Sequence, residues 1–495
     1  MDKTGRKTGS KEMKEHILVT GGTGVLGKQL TQKLLAQGEK IVILCREPQP
    51  NLFPEYQNQT SWRKGDVAQP MLGLTPEIYT NLASQTSAVF HLAARTDFNG
   101  KSLDDYTPTN INGVKNIHMF ACESRTHLHH VSTAFVCGRY SKTFQEDSLQ
   151  HGQKFRNFYE ESKFRGEEYL HEHMGSDQIP ITIYRPSIIL ERSPNEASGK
   201  NFGPFTFLDA VLRILLAAKR RNHNLDIIRV VGSRLGSLPF VFDDSVADAL
   251  FSLSCCKNIN SRTFHLVSKQ PFANRILEEI FNEVFGRQVV RYADVDEFKQ
   301  NAQTAAEELI ARNTKTYDDY MALSLSFGRQ NLEEMLGSKV LPDLTTGELL
   351  TAFSLFLAQK KGINKIIIKK DSDRQAEEVE KYFSHYLPDF FDKPLIKNLK
   401  TLNASLWLNV QDVNSWSIII KEGRLVSITP GQEGLFGYTV RAKAFLDVIC
   451  GLYSPQEGFF KGQIAIEGDT REALRTATAL EEFFSTYPYH RQKTI

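Results

Sequence analysis

The chain has 495 residues, 41% of them hydrophobic, and a formal net charge of +2. That length accommodates roughly three domains, and the near-neutral balance, with no arginine-rich stripe interleaved with aromatics, argues against a nucleic-acid partner. Six scattered cysteines (Cys45, Cys122, Cys137, Cys255, Cys256, Cys450) exclude a disulfide framework and offer no C-x-x-C zinc pair.

The polar stretch 1–14 has no apolar core and reads as a disordered tail rather than a signal peptide. No run approaches the ~18 apolar residues of a membrane span; Val211–Ala218 and Leu349–Ala358 are too short. A cytoplasmic, soluble chain is the expectation.

Ile17–Val19 reads as a short buried strand. Thr20–Gly27 follows as a glycine turn opening into the amphipathic Lys28–Gln37, with Gly21, Gly24 and Gly27 at G-x-x-G-x-x-G spacing. Such a turn brings backbone N–H groups and a helix N-terminus against a pyrophosphate. Lys40–Cys45 is a second strand and ends at Arg46. An arginine at that place suits the 2′-phosphate of NADP, where an acid would suit the ribose of NAD.

Gly65-Asp66-Val67 follows a polar loop, and Asp66 is placed to accept from an adenine amino group. Ala88–Ala94 is a further apolar strand whose small end leaves room for a cofactor, and His91 within it reads as a core histidine. Asn110-Ile-Asn-Gly113 opens a helix toward Cys122, and His130–Val136 is the fifth strand. His127-Leu-His-His130 has no acidic or cysteine partner at metal spacing and reads as entry to that strand. Strands alternating with helices predict a Rossmann-like, doubly wound parallel α/β sheet, with chemistry at the carboxyl ends of its strands.

Tyr159 and Lys163 lie four apart in the helical stretch Arg156–His173 and share one face. An ammonium near a phenol favours phenolate, which predicts a Tyr159 pKa below its ordinary value of about 10 and makes it an acid usable near neutral pH. Thr133, with Ser132 beside it, supplies a second hydroxyl to orient a substrate oxygen.

T-G-G-T-G-x-x-G, the H-L-A-A strand, N-x-x-G, S-T-A, Y-x-x-x-K, Tyr184-Arg-Pro-Ser187 and Leu238–Ala249 resemble, in this order, the extended short-chain dehydrogenase/reductase superfamily. VFHLAA, HVSTAFV and FHLVS are most similar to its fatty acyl-CoA reductase and thioester-reductase branch. The resemblance implies Thr133, Tyr159 and Lys163 as catalytic residues, with Asn110 supporting the proton relay. It implies NADP(H) held by Gly21, Thr23, Gly24, Val25, Leu26 and Gly27 of the turn, by Arg46, Asp66 and Val67, by Ala93 and Ala94, by Pro186 and Ser187, and by Tyr159 and Lys163. No metal is expected.

Residues 15–270 would form this reductase domain and 271–375 a mostly helical substrate portion and linker, with basic Lys360–Lys370 as the exit. From 376 to 495 the pattern changes. Ala404–Val410, Ser415–Lys421 and Arg424–Thr429 are alternating strands of an antiparallel sheet, followed by Tyr438–Val440, a helix at Ala442–Gly451, a strand at Gln463–Glu467 and a closing helix at Arg471–Phe484. That helix should bury Leu474, Ala477, Leu480 and Phe484. Trp407 and the run Phe459 to Asp469 resemble the sterol carrier protein 2-like fold, a C-terminal α+β lipid-binding domain with an apolar tunnel.

The whole implies an NADPH-dependent reductase of acyl thioesters, on CoA or a carrier protein, to aldehyde or alcohol. Self-association and transient contact with a membrane surface are compatible with it. The alternatives are a hydroxysteroid or nucleotide-sugar oxidoreductase or epimerase, and a lipid-transfer or sensing module with a silent nucleotide domain.

Overall fold

In the computed structural model the described residues are 15–489, apart from 176–178, 195–202, 222–225, 301, 322, 339, 361–370, 392, 394, 396–401 and 412. The basic linker 361–370 and the tail 1–14 therefore lie outside them. Two compact units emerge, Met1–Ile367 and Ile368–Ile495.

In the first unit the β-branched runs at β1 (His16–Thr20) and β2 (Ile41–Cys45) pair in parallel, buried on both faces. Between them the helix α1 (Val25–Ala36) buries Leu26, Leu30, Leu34 and Leu35 against the sheet. β3 (Thr60–Lys64), α2 (Pro76–Gln85), β4 (Thr86–His91), α3 (Gly113–Ser124), β5 (His127–Val131), α4 (Phe158–His173) and β6 (Ile181–Pro186) continue the alternation. A last strand, Arg262–Leu266, pairs with β6. The seven strands run in the order Arg262–Leu266, β6, β5, β4, β1, β2, β3, every pair parallel. The doubly wound expectation therefore stands.

Several boundaries shift. β3 escaped the sequence reading because an edge strand keeps polar residues: in TSWRK, Ser61, Arg63 and Lys64 are exposed and Thr60 and Trp62 half-buried. β4 stops at His91 rather than Ala94, and the chain crosses over Gly21 at Leu92–Ala93. β5 stops at Val131 rather than Val136; Thr133 instead accepts from Phe135 N and starts a 3-10 turn, Ala134–Cys137. α4 begins at Phe158, because Asn157 caps it by accepting from Glu160 N at 2.9 Å. His91 and His130 are buried in the sheet, as core histidines.

The helices Pro204–Arg220, Asn274–Val284, Ala305–Thr314 and Thr346–Ala358 pack on one another, Ala305–Thr314 and Asn274–Val284 also against the short strand pair Ile228–Val231 and Val290–Ala293. One of these four helices, Pro204–Arg220, thus comes from inside residues 15–270. Among the described residues no helix is long and apolar enough to cross a membrane.

The second unit has a five-stranded sheet in the order Arg424–Pro430, Asn414–Lys421, Ala404–Gln411, Phe436–Arg441, Ile464–Gly468. It is mixed rather than antiparallel: Ala404–Gln411 and Phe436–Arg441 run parallel. Glu422 (φ 48°) and Gly423 (φ 71°) make a tight hairpin between the second and third strands. After the third strand the chain crosses to the far side of the first instead of turning back. Gly437 lies under the Trp407 ring, where a Cβ would come within 2.1 Å of it. The closing helix, Thr470–Thr486, buries Ala473, Thr476, Ala477, Ala479 and Phe483, whereas Leu474 is 41% exposed. Its buried face is turned from the expected one because Tyr438 Oη fastens the first turn, donating to Ala473 O at 2.6 Å.

Candidate functional site

The carboxyl ends of β1, β2, β4, β5 and β6 open onto one cavity of about 1990 Å³. At its floor Gly21 has φ 73°, and a Cβ there would sit 2.6 Å from Ala93 N. At Gly27 a Cβ would land 2.0 Å from Gly21 O. Only glycine lets α1 start this close to the turn. Gly24 N-caps α1 without any side-chain cap, and no acid sits in the first turn, so its leading N–H groups are left for an anion. This cradle fits a pyrophosphate. Thr23, Val25 and Leu26 line the same wall.

Arg46 is exposed at the cavity rim, one residue past β2. Asp66 accepts from Ala68 N at 2.9 Å, which sets the turn, and Val67 is buried against Gly113. Ala93 and Ala94 line the cavity after β4, and Pro186 and Ser187 after β6. Ser187 is 7% exposed, and its Oγ is without a protein partner among the described residues.

Thr133, Tyr159 and Lys163 meet on this cavity. Thr133 Oγ1 donates to Pro186 O at 3.4 Å and also hydrogen-bonds Tyr159. Tyr159 does not have the lowered pKa expected of it: loss of water around the phenol pushes it up to about 12, against the pull of the Thr133 hydrogen bond. Lys163 Nζ donates instead to Val131 O at 2.8 Å, and burial brings that amine down to about 8, with Glu167 opposing. The ammonium is committed to the end of β5, and the electrostatic lowering of the phenol is absent.

Asn110 is also placed differently from expectation. It sits in a π-helical turn, Thr107–Asn112. Its amide donates to Arg95 O at 2.9 Å and Ser162 Oγ at 2.8 Å, and its Oδ1 accepts from Arg95 N at 2.8 Å.

Three aromatic residues on the cavity were not apparent from sequence. Phe98 packs 5.4 Å from Tyr159, 5.6 Å from Tyr317 and 5.4 Å from Tyr320. Tyr320 Oη donates to Glu160 at 2.6 Å and accepts from Asn157 Nδ2 at 2.8 Å, while Arg156 pairs with Glu160 at 3.2 Å. A second buried pair, Arg185 with Glu167, fixes α4 to β6. The same cavity is also lined by Phe205, Phe207, Phe240, Leu277, Phe281 and Phe356, among polar residues such as Arg213, Asp318 and Lys360.

Cys137 is buried and its thiol is pushed up to about 12, which makes it inert as a nucleophile. Among the described residues no group of three or more His, Cys, Asp or Glu could hold a metal ion.

Residues 19–231 match the male sterility protein family, and residues 391–481 match the SCP-2 sterol transfer family. Among curated proteins, the hybrid PKS-NRPS synthetase pvhA of Talaromyces variabilis is 27% identical over 176 residues, 35% of this chain and 4% of that one. The hybrid PKS-NRPS synthetase pydA of Acremonium sp is 27% identical over 237 residues, 46% of this chain and 6% of that one. The chain thus spans less than a tenth of the length of these relatives. The solved terminal R domain of the myxalamid PKS-NRPS pathway superposes with a TM-score of 0.57 at 20% identity, covering 70% of this chain and 90% of that one. At that identity the likeness speaks to the fold. Residues 19–231 thus carry the signature of a male sterility-type domain, an extended short-chain dehydrogenase/reductase-type oxidoreductase domain, and residues 391–481 that of an SCP-2 sterol transfer domain.

Proposed function

We propose that the chain is an NADPH-dependent reductase of fatty acyl thioesters, carried on CoA or on a carrier protein, yielding an aldehyde or alcohol. The observation that supports this best is the continuity of the cavity. It runs from the glycine cradle and Arg46, past Thr133, Tyr159 and Lys163, to walls of phenylalanine and leucine suited to an acyl chain. Residues 15–270 and the helices of 271–375 build that cavity, and 376–495 is a lipid-binding domain that keeps acyl substrate or product at hand.

A bound nicotinamide dinucleotide supplies the hydride. Gly21, Gly24 and Gly27 would hold its pyrophosphate, Arg46 a 2′-phosphate, Asp66 and Val67 the adenine side, and Ala93, Ala94, Pro186 and Ser187 the rest of the molecule. Thr133 and Tyr159 hold the substrate carbonyl oxygen between two hydroxyls, where negative charge develops. With its pKa near 12, Tyr159 stays protonated at neutral pH and gives a proton to that oxygen. Lys163 holds the ribose. No covalent acyl-enzyme is needed, in keeping with the inert Cys137.

The test is to mix the purified chain with palmitoyl-CoA and either NADPH or NADH, following cofactor absorbance and trapped aldehyde. Thioester-dependent oxidation of NADPH that Tyr159→Phe abolishes is the expected result. Equal oxidation by Tyr159→Phe, or reduction of a ketosteroid but of no thioester, overturns the reading.

A further inference from the structure

Tyr159 and Thr133 are joined by an arc of rings as well as by their hydroxyls. Phe98 lies 5.4 Å from Tyr159 and stacks on Tyr320 at 5.4 Å and 14°. Tyr320 meets Phe135 edge-on at 5.3 Å, and Phe135 N donates to Thr133 Oγ1 at 3.3 Å. All five residues line the cavity. The arc thus starts at one of the two hydroxyls proposed to hold the substrate oxygen and returns to the other.

Both halves of the arc are held from behind. Tyr320 and Phe135 are buried, and the Tyr320 hydroxyl is fixed between Glu160 and Asn157. Phe98 sits on a buckled turn after β4. There Arg95 pairs with Asp97 at 3.0 Å, donates to Asp105 O at 2.8 Å and lies over the Tyr106 ring at 4.8 Å. Tyr106 is buried; its hydroxyl donates to Asp97 O at 2.8 Å and accepts from Gly100 N at 3.0 Å. A Cβ on Gly100 would come within 2.2 Å of the Tyr106 ring, so a glycine is needed for the turn to lie this close.

Asn110 ties this turn to α4. Its Oδ1 accepts from Arg95 N and its amide donates to Arg95 O, so it grips both main-chain groups of one residue just ahead of Phe98. The amide also donates to Ser162 Oγ at 2.8 Å, and that hydroxyl donates to Tyr159 O at 2.8 Å. One buried side chain therefore fixes the turn that carries Phe98 relative to the turn of helix that carries Tyr159, and both of its N–H groups are spent in doing so.

We propose that Phe98 determines specificity at the acyl carbon next to the carbonyl: the wall it forms with Tyr320 and Phe135 admits a straight chain there and excludes a branched one. Asn110 is the positioning residue that sets the distance of this wall from Tyr159. The inference rests on the thioester reading of the cavity. With its oxygen between Thr133 and Tyr159, the carbonyl carbon carries two further atoms beside the arc, the sulfur and the first carbon of the chain. Sulfur bears no branch, so a wall that does not yield discriminates at the carbon. Close-packed rings pinned by hydrogen bonds on both sides do not give way to an added methyl group. In a pocket of this kind one such group changes kcat/KM by about 10–200-fold.

The test compares palmitoyl-CoA with α-methylpalmitoyl-CoA on the full chain with NADPH. The unaltered chain should favour the straight thioester by about 10–200-fold in kcat/KM, and Phe98→Ala should bring the ratio close to one. Both substrates are measured on one preparation, so any loss of folded protein cancels in the ratio. A ratio near one in the unaltered chain, or an unchanged ratio in Phe98→Ala, overturns the proposal. Asn110→Ala should lose the same discrimination with its solvent isotope effect unchanged. An equal fall in kcat on both substrates with a raised isotope effect would assign Asn110 to proton transfer and overturn its positioning role. Failure of the parent reading looks different: the unaltered chain then reduces neither thioester, and the inference falls with it, whereas reduction of both at equal rates overturns the inference alone.

Discussion

Replacing Tyr320 by phenylalanine isolates one hydroxyl in the wall of the cavity. That hydroxyl donates to Glu160 at 2.6 Å and accepts from Asn157 at 2.8 Å, and Glu160 is fully buried. A hydrogen bond to a charged acceptor contributes about 1.5–3 kcal/mol, and its loss leaves the carboxylate more dependent on Arg156, at 3.2 Å. The ring remains, so its stack on Phe98 at 5.4 Å and 14° is retained. We expect Tyr320→Phe to lose about 2 kcal/mol of stability, a melting shift of about 4 °C at the ~2 °C per kcal/mol of large units, with kcat nearly unchanged. Tyr320→Leu also removes the stack and the edge contact with Phe135 at 5.3 Å, worth about 0.5–1.5 kcal/mol each beyond buried area. It should raise substrate KM as well, because Phe98 loses one of the two tyrosines that hold it beside Tyr159. Denaturant melts of Tyr320→Phe, Glu160→Gln and the double variant form a cycle. A coupling energy indistinguishable from zero would refute the assigned bond.

Gly27→Ala should abolish dinucleotide binding in a fluorescence titration while the chain stays folded, since its Cβ would overlap Gly21 O at 2.0 Å and push the turn out of shape; unchanged affinity would contradict the cradle. Arg46→Ala should weaken NADPH by about 10–100-fold, the worth of one charged hydrogen bond, and NADH hardly at all, as read from the two Kd values. The rate of carbonyl reduction should fall as pH rises through about 8, where Lys163 loses its proton, and Lys163→Met should remove that limb of the profile. Glu146 is buried beneath His265 N, Asn331 N and Leu332 N, and burial raises its pKa to about 7. An acid raised on folding stays protonated in the native state while the unfolded chain ionises, so stability should decline by up to ~3 kcal/mol as pH rises from about 4.5 to about 7. A flat stability profile over that window would show that the three N–H donors compensate burial completely.

The first two strands were legible because each is a run rich in β-branched residues ending in a chemically distinctive turn. Ile17–Thr20 before the glycines and Ile41–Cys45 before Arg46 need no tertiary information to be read. β3 was hidden because an edge strand is half solvated, and its polar side chains are those of a loop. In the second unit alternation gave the strands within a residue or two, but not the direction in which the fourth joins the first. Direction depends on a crossover, and a crossover leaves no periodic trace. The buried face of Thr470–Thr486 was misread because Leu474 looks apolar while Thr476 looks polar; packing against Tyr438 decides otherwise.

In the candidate site, spacing located what one helix turn or one strand end brings together, and failed where distant segments supply the environment. Tyr159 and Lys163 share a face by helix geometry alone, yet their pKa values depend on what covers that face. Phe98, from the loop after β4, covers the phenol ring and is itself backed by Tyr320, from far downstream. Val131 O, at the end of β5, takes the ammonium that the sequence assigned to the phenol. The same helix face that carries the reactive pair continues to Glu167 and His171, and Glu167 is paired there with Arg185 from β6. A four-residue repeat of titratable side chains on an exposed helix would be a solvated stripe; with a parallel sheet laid over it, Lys163 and Glu167 are buried and bonded to strand ends and strand side chains instead.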